Sequence, residues 1–450
     1  MNIPNTRSLE NTLDTILKQA RHSFDLPGFA VGVVRGNEIV YARGFGVRDI
    51  RTQEPVTVRS LFHQASISKL FTAAAIMQLR ERRQVCLKDP VVKYLPTFRL
   101  ADEHSQSITI EHLLIHTSGI PDPEDHDWEH PEYDDGALKR LVSSLHSLPM
   151  LAEPGQEFAY SSLGFNVLGA LIAEVSGEPF EAYIKNHVLE PLGMRDSTFF
   201  KPDVPLELAT SPHIRTPKMT VSGVFPYSRP QAPSGALQSN VLDMCQWALA
   251  HLIGGSLGDR QNPFHLILSS ESYRLLWSPR AHTGQDKDSR QTEIGLGWFV
   301  GKYRSMPTAM HDGGDVGYEA ELTLLPEQKV AVTVMANVFP AVTTAITRAV
   351  LDVVLGFDIQ TPQPPLLVPV ITMLRETGIE AAIAQYRQLG QDTHDADMAF
   401  LRNSIFILQE ARQLGKADEL LRLGERLFPN TIMEHKGDAE LCYSPFLQIP

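Results

Sequence analysis

Apolar and β-branched residues form two short runs near the start of the chain, at residues 29–34 and 39–45. Residues 35–38 between them have the composition of a tight turn, so the pattern predicts an antiparallel hairpin. A second hairpin is predicted far downstream. There apolar and polar residues alternate over 318–324, and a continuous apolar run follows at 330–336. We therefore expect strands near both ends of the main domain, and we expect the strand at 318–324 to be amphipathic.

Helical periodicity dominates the sequence between the two predicted hairpins, from about residue 60 to residue 290. Loops rich in proline and glycine interrupt it. The strands from both ends should then join into one antiparallel sheet, and the helical segment should be an insertion that covers it. The predicted fold class is α+β, with an antiparallel sheet built from N- and C-terminal strands, flanking helices and a large helical insertion.

The pattern changes after residue 358. Three prolines lie within residues 362–365 and favour an extended connector, so we place a linker at residues 359–370. Helical periodicity then recurs in three segments: 379–389, 398–414 and 417–428. The last two resemble one tetratricopeptide-type hairpin, which is too short for a solenoid. Residues 371–450 are therefore predicted to form a small all-α appendage to a main domain of residues 1–358.

Composition and charge narrow the classes of function. The chain has 450 residues, of which 43% are hydrophobic and 21% charged, as in an ordinary globular protein. The formal net charge of −13 argues against nucleic acid and anionic membranes as partners, because both are bound by basic patches. Residues 1–24 have helical spacing without the apolar core of a signal peptide. We expect a cytoplasmic protein.

The strongest chemical signal is Ser66-Ile67-Ser68-Lys69, which precedes an almost wholly apolar run at residues 70–77. Residues three apart on a helix share a face, so the amine of Lys69 could take the hydroxyl proton of Ser66. The apolar run predicts a buried helix. Burial would lower the lysine pKa from about 10.4 by the roughly 3 units that a base near neutrality needs. The alternative is a surface lysine that follows an ordinary N-cap serine.

Two further segments could complete such a site. Tyr160 lies just before a predicted helix, where its hydroxyl could relay a proton to a leaving group if nearby cations lowered its pKa. The alternative is a structural aromatic residue in a capping loop. Residues 311–314, His-Asp-Gly-Gly, lead into the predicted strand at 318–324. The paired glycines would let a substrate approach the backbone, and one amide could help to hold an oxyanion; a glycine-rich β-bulge is the alternative.

These three segments, in this order, resemble the motifs of the serine β-lactamase and penicillin-binding-protein superfamily, most closely its class C-like esterase and D-aminopeptidase branch. The resemblance spans roughly residues 11–355. Further landmarks of the family occur in the expected order at Leu113–Ile120, Pro191–Met194 and Gly295–Trp298. The resemblance implies a β-lactamase-like serine hydrolase that acts through an acyl-enzyme on esters or small amides. It implies no cofactor and no metal.

The resemblance also implies roles for individual residues. Ser66 would be acylated, and Lys69 and Tyr160 would share the proton transfers. The backbone amides of Ser66 and Gly314 would form the oxyanion hole. The substrate-binding positions would be Ser162, His311, Asp312 and Gly313.

Two of these positions depart from the usual family pattern. Ser162 stands where an asparagine is usual two residues after the tyrosine, and a serine cannot offer an amide group to a substrate amide. His311 stands where β-lactamases have a lysine that attracts the substrate carboxylate, and a histidine is mostly neutral above a pH of ~6.5. Both changes favour ester or neutral amide substrates over penicillins.

Several alternatives stay open. A β-lactamase or a D-amino-acid peptidase or carboxypeptidase is the alternative among enzymes. A catalytically silent member, with the C-terminal helices as its surface for protein contact, is the alternative from another class.

Residues 254–258 fit the Gly-x-Ser-x-Gly elbow of α/β-hydrolases, but helical spacing precedes them where that elbow needs a strand. His112 and His116 are four residues apart, but the zinc-protease order His-Glu-x-x-His is missing.

Residues 122–130 form a strongly acidic segment that the family places near the rim of the site. Most such runs are solvated faces. Our hypothesis is that its carboxylates, at Asp125, Asp127 and Glu129, favour substrates that carry an amine.

Overall fold

The computed structural model describes residues 6–122, 126–216, 218–256, 267–285, 290–340, 343–359, 361–389 and 394–429. The helices of this part are α1 (Thr6–Ser23), α2 (Ser68–Glu81), α3 (Ile110–Leu114), α4 (Ala137–Ser144), α5 (Ser162–Ser176), α6 (Phe180–Ile184), α7 (Ala232–Gly235), α8 (Val241–Ser256), α9 (Ser270–Leu276), α10 (Thr343–Leu355), α11 (Leu367–Thr377), α12 (Ile379–Leu389), α13 (His394–Glu410) and α14 (Leu414–Leu427). The strands are β1 (Gly28–Arg35), β2 (Glu38–Gly46), β3 (Phe62–His63), β4 (His213–Thr216), β5 (Lys218–Val221), β6 (Gln238–Ser239), β7 (Ala281–His282), β8 (Glu293–Ile294), β9 (Phe299–Tyr303), β10 (Met306–Asp315), β11 (Tyr318–Leu325), β12 (Val330–Ala336) and β13 (Val338–Phe339).

Strands from the two ends of the main domain meet in one antiparallel sheet of eight strands, ordered β2-β1-β12-β11-β10-β9-β8-β7. The junction is between β1 and β12, where Phe29 is opposite Ala336 and Arg35 is opposite Val330. This confirms the predicted α+β fold and both predicted hairpins. Between the hairpins the chain is mainly helical, from α2 to α9, with small strand pairs such as β3 and β6.

Helices cover both faces of the sheet, which explains why β1 is apolar on both sides. Phe29, Val31 and Val33 face the apolar cluster that contains α1 and α10. Ala30 faces the opposite cluster, which contains α2, α5 and α8. At Gly32 a β-carbon would lie only 2.4 Å from Cys245 Sγ on α8, so the strand and this helix are in close contact.

Residues 318–324 form a strand with one apolar and one polar face, as the alternation predicted, but the polar face is not exposed to solvent. All eight residues of β11 are buried. The polar residues have buried partners instead of solvent: Arg290 Nη1 donates to Glu321 Oε1 at 2.5 Å, and the Thr343 amide donates to Glu319 Oε1 at 2.6 Å. The alternation therefore separates an apolar face from a face of paired polar groups, and both faces are covered.

Among the C-terminal helices α11 to α14, helix α13 contacts the short strands β4 and β13. Apolar residues of these helices share one continuous cluster with α1, α10 and one face of the sheet. Helix α11 begins at Leu367, so the last residues of the segment predicted as a linker are helical. The division into a main domain, a linker and an appendage stays a prediction. The described helices include none that is long and apolar enough to span a bilayer.

The buried ion pair on β11 gives a prediction about stability. Arg290 is 2% exposed and Glu321 is fully buried. Substituting Glu321→Leu would leave the guanidinium buried without its carboxylate, so we expect the free energy of unfolding to fall by about 3–5 kcal/mol in urea denaturation. The double variant Arg290→Met/Glu321→Leu should recover most of that loss. A loss below about 1 kcal/mol in the single variant, the size typical of an exposed pair, would contradict the prediction.

Candidate active site

Ser66 lies in a 3-10 turn at Ala65–Ile67 that leads directly into α2. Ala65 has a φ of 45°, in the left-handed region, so the backbone turns sharply just before the serine. The first twelve residues of α2, Ser68 to Leu79, are all buried, as the apolar run predicted. Ser66 itself is partly exposed. The turn therefore presents the hydroxyl at the accessible end of a buried helix.

Lys69 is 1% exposed and reaches back to this hydroxyl. Its Nζ donates to Ser66 Oγ at 3.0 Å and to the backbone carbonyl of Ser234, on α7, also at 3.0 Å. Both partners are neutral, and burial lowers the pKa of Lys69 to about 8. Asp122, Asp315 and Asp312 oppose this shift through their charges. The structure therefore has the buried lysine beside the serine that the spacing predicted, and the surface alternative is excluded.

Tyr160 lies immediately before α5, whose N-cap is Ser161. It is 5% exposed, and Lys69 Nζ lies 4.9 Å from the centre of its ring. The hydroxyl makes no hydrogen bond of normal geometry within the described residues, yet its contact with Ser66 lowers its pKa. Burial has the larger effect and holds the pKa of Tyr160 well above 10. The condition that nearby cations lower this pKa is not met, and the phenol stays protonated near neutral pH.

The His-Asp-Gly-Gly segment is part of a regular strand. Residues 309–315 of β10 pair with 318–324 of β11 in unbroken register, so the β-bulge alternative is excluded. A β-carbon at Gly313 would lie 2.3 Å from the Gln64 carbonyl oxygen and 3.0 Å from the Ser66 nitrogen. At Gly314 it would lie 2.7 Å from the Phe339 ring. Glycine is thus required for β10 to lie directly against the turn that carries Ser66.

The side chains at the predicted substrate-binding positions, and the partner of Ser162, are neutral or acidic. His311 is fully buried, and burial, followed by the charge of Lys69, lowers its pKa to about 3. Burial, followed by the charge of Glu321, raises the pKa of Asp312 to about 7, and Gln291 Nε2 donates to that carboxyl at 3.2 Å. The backbone amide of Ser162 donates to the carboxyl of Asp122.

Comparison with known proteins identifies the group to which the chain belongs. The family model described as Beta-lactamase matches residues 13–355. The chain belongs to the Beta-lactamase family. Esterase EstB of Burkholderia gladioli is 35% identical over 204 residues, which are 43% of this chain and 52% of that protein. The putative penicillin-binding protein PbpX of Bacillus subtilis (strain 168) is 32% identical over 270 residues, which are 60% of this chain and 61% of that protein.

Solved structures give the same result. The penicillin-binding protein homologue from Pyrococcus abyssi superposes with a TM-score of 0.67 at 25% identity, covering 82% of this chain and 81% of that one. The family match and this superposition together establish the fold and the family. The alignments to both curated relatives cover less than two thirds of the relative's own length.

Ser162 and His311, the two positions singled out in the sequence, both make contacts within the site. Both polar groups of Ser162 face the carboxyl of Asp122. The Ser162 amide donates to one carboxyl oxygen, and Ser162 Oγ lies 3.5 Å from the other. His311 is neutral and packs its ring 5.2 Å from Phe299 and 6.4 Å from Tyr160. Neither position therefore presents a positive charge to a substrate.

Sequence reasoning missed two groups in the site. The Ser234 carbonyl holds Lys69 through a backbone atom, so no side-chain pattern could reveal it. Asp122 is the first residue of the acidic segment, and no pattern in the sequence indicates that its carboxyl meets the Ser162 amide. We named three carboxylates of the acidic segment as groups that could favour a substrate amine. Two of them have partners within the protein: His130 Nδ1 lies 2.8 Å from Asp127 Oδ1, and Arg412 Nε donates to Glu129 Oε2 at 2.9 Å. Asp125 lies outside the described residues.

The two rival sequence signals have structural explanations. His112 caps α3 in a reciprocal arrangement with Thr109, and His116 Nδ1 accepts from the Ser161 amide at 3.0 Å. In the described ranges no three His, Cys, Asp or Glu side chains are grouped to hold a metal ion. Gly254 is inside α8, so the Gly-x-Ser-x-Gly sequence does not follow a strand.

The close contact at Gly313 gives a prediction. Substituting Gly313→Ala forces β10 and the Ser66 turn apart, because the β-carbon would meet backbone atoms that cannot move aside. We expect labelling of Ser66 by a fluorophosphonate probe, followed by mass spectrometry, to slow by about 10²-fold. In the control Gly164→Ala the nearest atom would be 3.4 Å away, an ordinary contact, and labelling should be unchanged. Labelling of Gly313→Ala at the wild-type rate would contradict the prediction.

Proposed function

We propose that this protein is a serine hydrolase that acts through an acyl-enzyme on esters or small neutral amides. The observation that carries the proposal is the 3.0 Å hydrogen bond between Lys69 Nζ and Ser66 Oγ, with the amine fully buried and the hydroxyl partly exposed. A hydroxyl becomes nucleophilic when an adjacent base removes its proton. A lysine with a pKa of about 8 is deprotonated often enough near neutrality to be that base.

The acylation step follows from these groups. Neutral Lys69 takes the proton of Ser66 Oγ as the oxygen attacks the substrate carbonyl, and a tetrahedral oxyanion forms. The amides of Ser66 and Gly314 would donate to that oxyanion, a role supported by the contact of β10 with the Ser66 turn. When the intermediate collapses, the bond to the alcohol or amine breaks and the leaving group must gain a proton. Water then releases the acyl group by the same route in reverse.

Tyr160 is suited to deliver that proton. Its phenol is protonated, and it lies beside both Lys69 and Ser66. It can donate its proton to the leaving group while it receives one from the Lys69 ammonium. This transfer leaves the phenol protonated and returns Lys69 to its neutral form. A phenolate base is not required, which agrees with the raised pKa of Tyr160.

The surroundings favour neutral or cationic substrates over penicillins. A penicillin carries a carboxylate, and this site meets it with neutral His311 and the carboxyl groups of Asp312 and Asp122. The relationship to an esterase agrees with this preference. The relationship to a penicillin-binding protein keeps the β-lactamase and peptidase alternatives open to experiment. We infer a small-molecule ester or amide as the partner of the site.

Adduct formation tests the proposal. The protein is incubated with a fluorophosphonate, a p-nitrophenyl ester, nitrocefin and a D-alanyl p-nitroanilide, and its intact mass is recorded. We expect a covalent adduct with the fluorophosphonate, turnover of the ester, and little turnover of nitrocefin. Ser66→Ala should abolish every adduct, whereas Ser256→Ala, the serine of the Gly-x-Ser-x-Gly sequence, should react like the wild type. A protein that forms no adduct at all would be the catalytically silent member.

The pKa of Lys69 sets the expected pH dependence. Because the base must be neutral, kcat/KM for the ester should rise with pH and level off above a midpoint of about 8. Below the midpoint the value should fall as the pH falls, because less of the lysine is neutral. An unperturbed lysine would place the midpoint near ~10.4 and an ordinary histidine near ~6.5. Asp312, with a pKa of about 7, is the control: because its charge raises the Lys69 pKa, the rise should persist in Asp312→Asn with a midpoint at or below about 8. A midpoint at either unperturbed value would contradict the assignment of Lys69 as the base.

A further inference from the structure

His116 lies in the landmark segment Leu113–Ile120, which the proposed chemistry does not use. It is fully buried and has a φ of 55°, in the left-handed region that side-chain-bearing residues seldom adopt. The residue is two positions after the C-terminus of α3 and packs against the segment that carries Tyr160. A strained backbone that is held by its surroundings is a reason to ask what the residue does there.

His116 binds the backbone on both sides of Tyr160. Its carbonyl oxygen accepts from the Ala159 amide at 2.8 Å. Its Nδ1 accepts from the Ser161 amide at 3.0 Å. One residue thus binds the backbone amides of both residues that flank the tyrosine.

The imidazole ring also sets the plane of the phenol. Its centre lies 4.3 Å from the centre of the Tyr160 ring, and the two planes differ by 24°, which is a stacked arrangement. Phe165, at 5.1 Å, and Phe158, at 5.9 Å, surround the same imidazole. The ring is therefore wedged between the tyrosine and two phenylalanines.

The imidazole is neutral, and its tautomer follows from its bonding. Burial, followed by the charges of Lys69 and His311, holds the pKa of His116 well below 6.5. Because Nδ1 accepts a hydrogen bond, the proton is assigned to Nε2. That nitrogen is buried and makes no hydrogen bond within the described part of the chain. The bond to the Ser161 amide and the stacking are thus the contacts that orient the ring.

We propose that His116 is a positioning residue for proton transfer: it holds Tyr160 at both neighbouring amides and across its ring, so that the hydroxyl stays beside Ser66 and Lys69. The inference rests on the proposed function, in which Tyr160 carries the proton to the leaving group. Within the described residues, no hydrogen bond joins His116 to the Ser66 hydroxyl or to the Lys69 amine. Its effect on the rate therefore passes through Tyr160. A misplacement of the order of 1 Å at a proton relay can slow a reaction by about 10²-fold.

A double-mutant cycle tests the route. Kinetics with the p-nitrophenyl ester are compared for the wild type, Tyr160→Phe, His116→Gly and the double variant. Glycine tolerates the left-handed backbone, so His116→Gly should fold while it loses both the ring and the Nδ1 acceptor. We expect Tyr160→Phe to lower kcat by about 10²-fold. His116→Gly should lower kcat by 10- to 10²-fold with KM changed less than threefold, and in the Tyr160→Phe background it should lower kcat by less than threefold.

Two conservative variants separate the two kinds of contact. His116→Asn can keep an acceptor for the Ser161 amide and suits the left-handed backbone, so it should retain at least a fifth of the wild-type kcat. His116→Phe keeps a stacking ring but leaves that amide buried and unpaired, so it should lose activity as His116→Gly does. His251→Phe is the control for removing a buried imidazole, because the His251 ring packs against the rings of Trp247, Tyr273, Trp277 and Trp298, away from Tyr160. Its kcat should stay within twofold of the wild type.

The outcomes are distinct. Equal losses from His116→Gly in both backgrounds would overturn the inference, because the residue would then act independently of Tyr160. A wild-type kcat in both His116→Gly and His116→Phe would also overturn it. If His116→Gly does not fold, the same cycle is run with His116→Phe, and additive losses again overturn the inference. The proposed function is tested separately, since its failure appears as the absence of a Ser66 adduct in the wild-type protein.

Discussion

The hydrogen bond between Lys69 and Ser66 joins a fully buried amine to a partly exposed hydroxyl, and the chemistry of the site depends on that contrast. Lowering the pKa of a lysine from 10.5 to about 8 means that the charged form is disfavoured by about 3 kcal/mol. The apolar surroundings of α2 are the source of this free energy, because α5 and α7 pack against it and exclude water. The Ser234 carbonyl on α7 then fixes the amine without adding a negative charge that would restore the ordinary pKa. The same packing thus both stabilises the fold and lowers the pKa of Lys69, the proposed base.

The site is assembled from parts of the chain that are far apart in sequence. The proposed nucleophile and base come from the start of the helical insertion, the tyrosine from the entry to α5, and the paired glycines from β10. β10 is held in place by β11, which pairs with β12, which pairs with the N-terminal strand β1. The sheet therefore sets the distance between the Ser66 turn and the amides proposed for the oxyanion hole. This dependence explains why a single β-carbon at Gly313 would reach the nucleophile turn.

Local patterns predicted those features that local physics determines. The hairpins, the buried helix α2 and the serine-lysine pair all follow from spacing along the chain. The burial of Glu321 does not, because its partner Arg290 lies 31 residues earlier in the chain, and a polar residue in an alternating strand has the same pattern whether it meets water or a buried cation. The pKa of Tyr160 also depends on tertiary structure: burial raises it and the contact with Ser66 lowers it, and only the packed site shows that burial prevails. The contact between the Asp122 carboxyl and the Ser162 amide likewise depends on tertiary structure, because the two residues are 40 positions apart in the chain.

Electrostatics around Lys69 is a balance between burial and three carboxyl groups. Asp122, Asp315 and Asp312 stabilise the ammonium and so work against the base, while burial works for it. The pKa values of Asp122 and Asp312 are themselves raised by burial. When such a carboxyl is protonated it no longer stabilises the ammonium, so the lysine and the carboxyls titrate as a coupled set. As pH rises through about 7, ionisation of Asp312 makes the Lys69 proton harder to remove. Lys69 therefore loses its proton over a wider range of pH than an isolated lysine would. The same carboxyls would repel a substrate carboxylate most strongly in the pH range where the lysine becomes active, so the arrangement that tunes the base also disfavours anionic substrates.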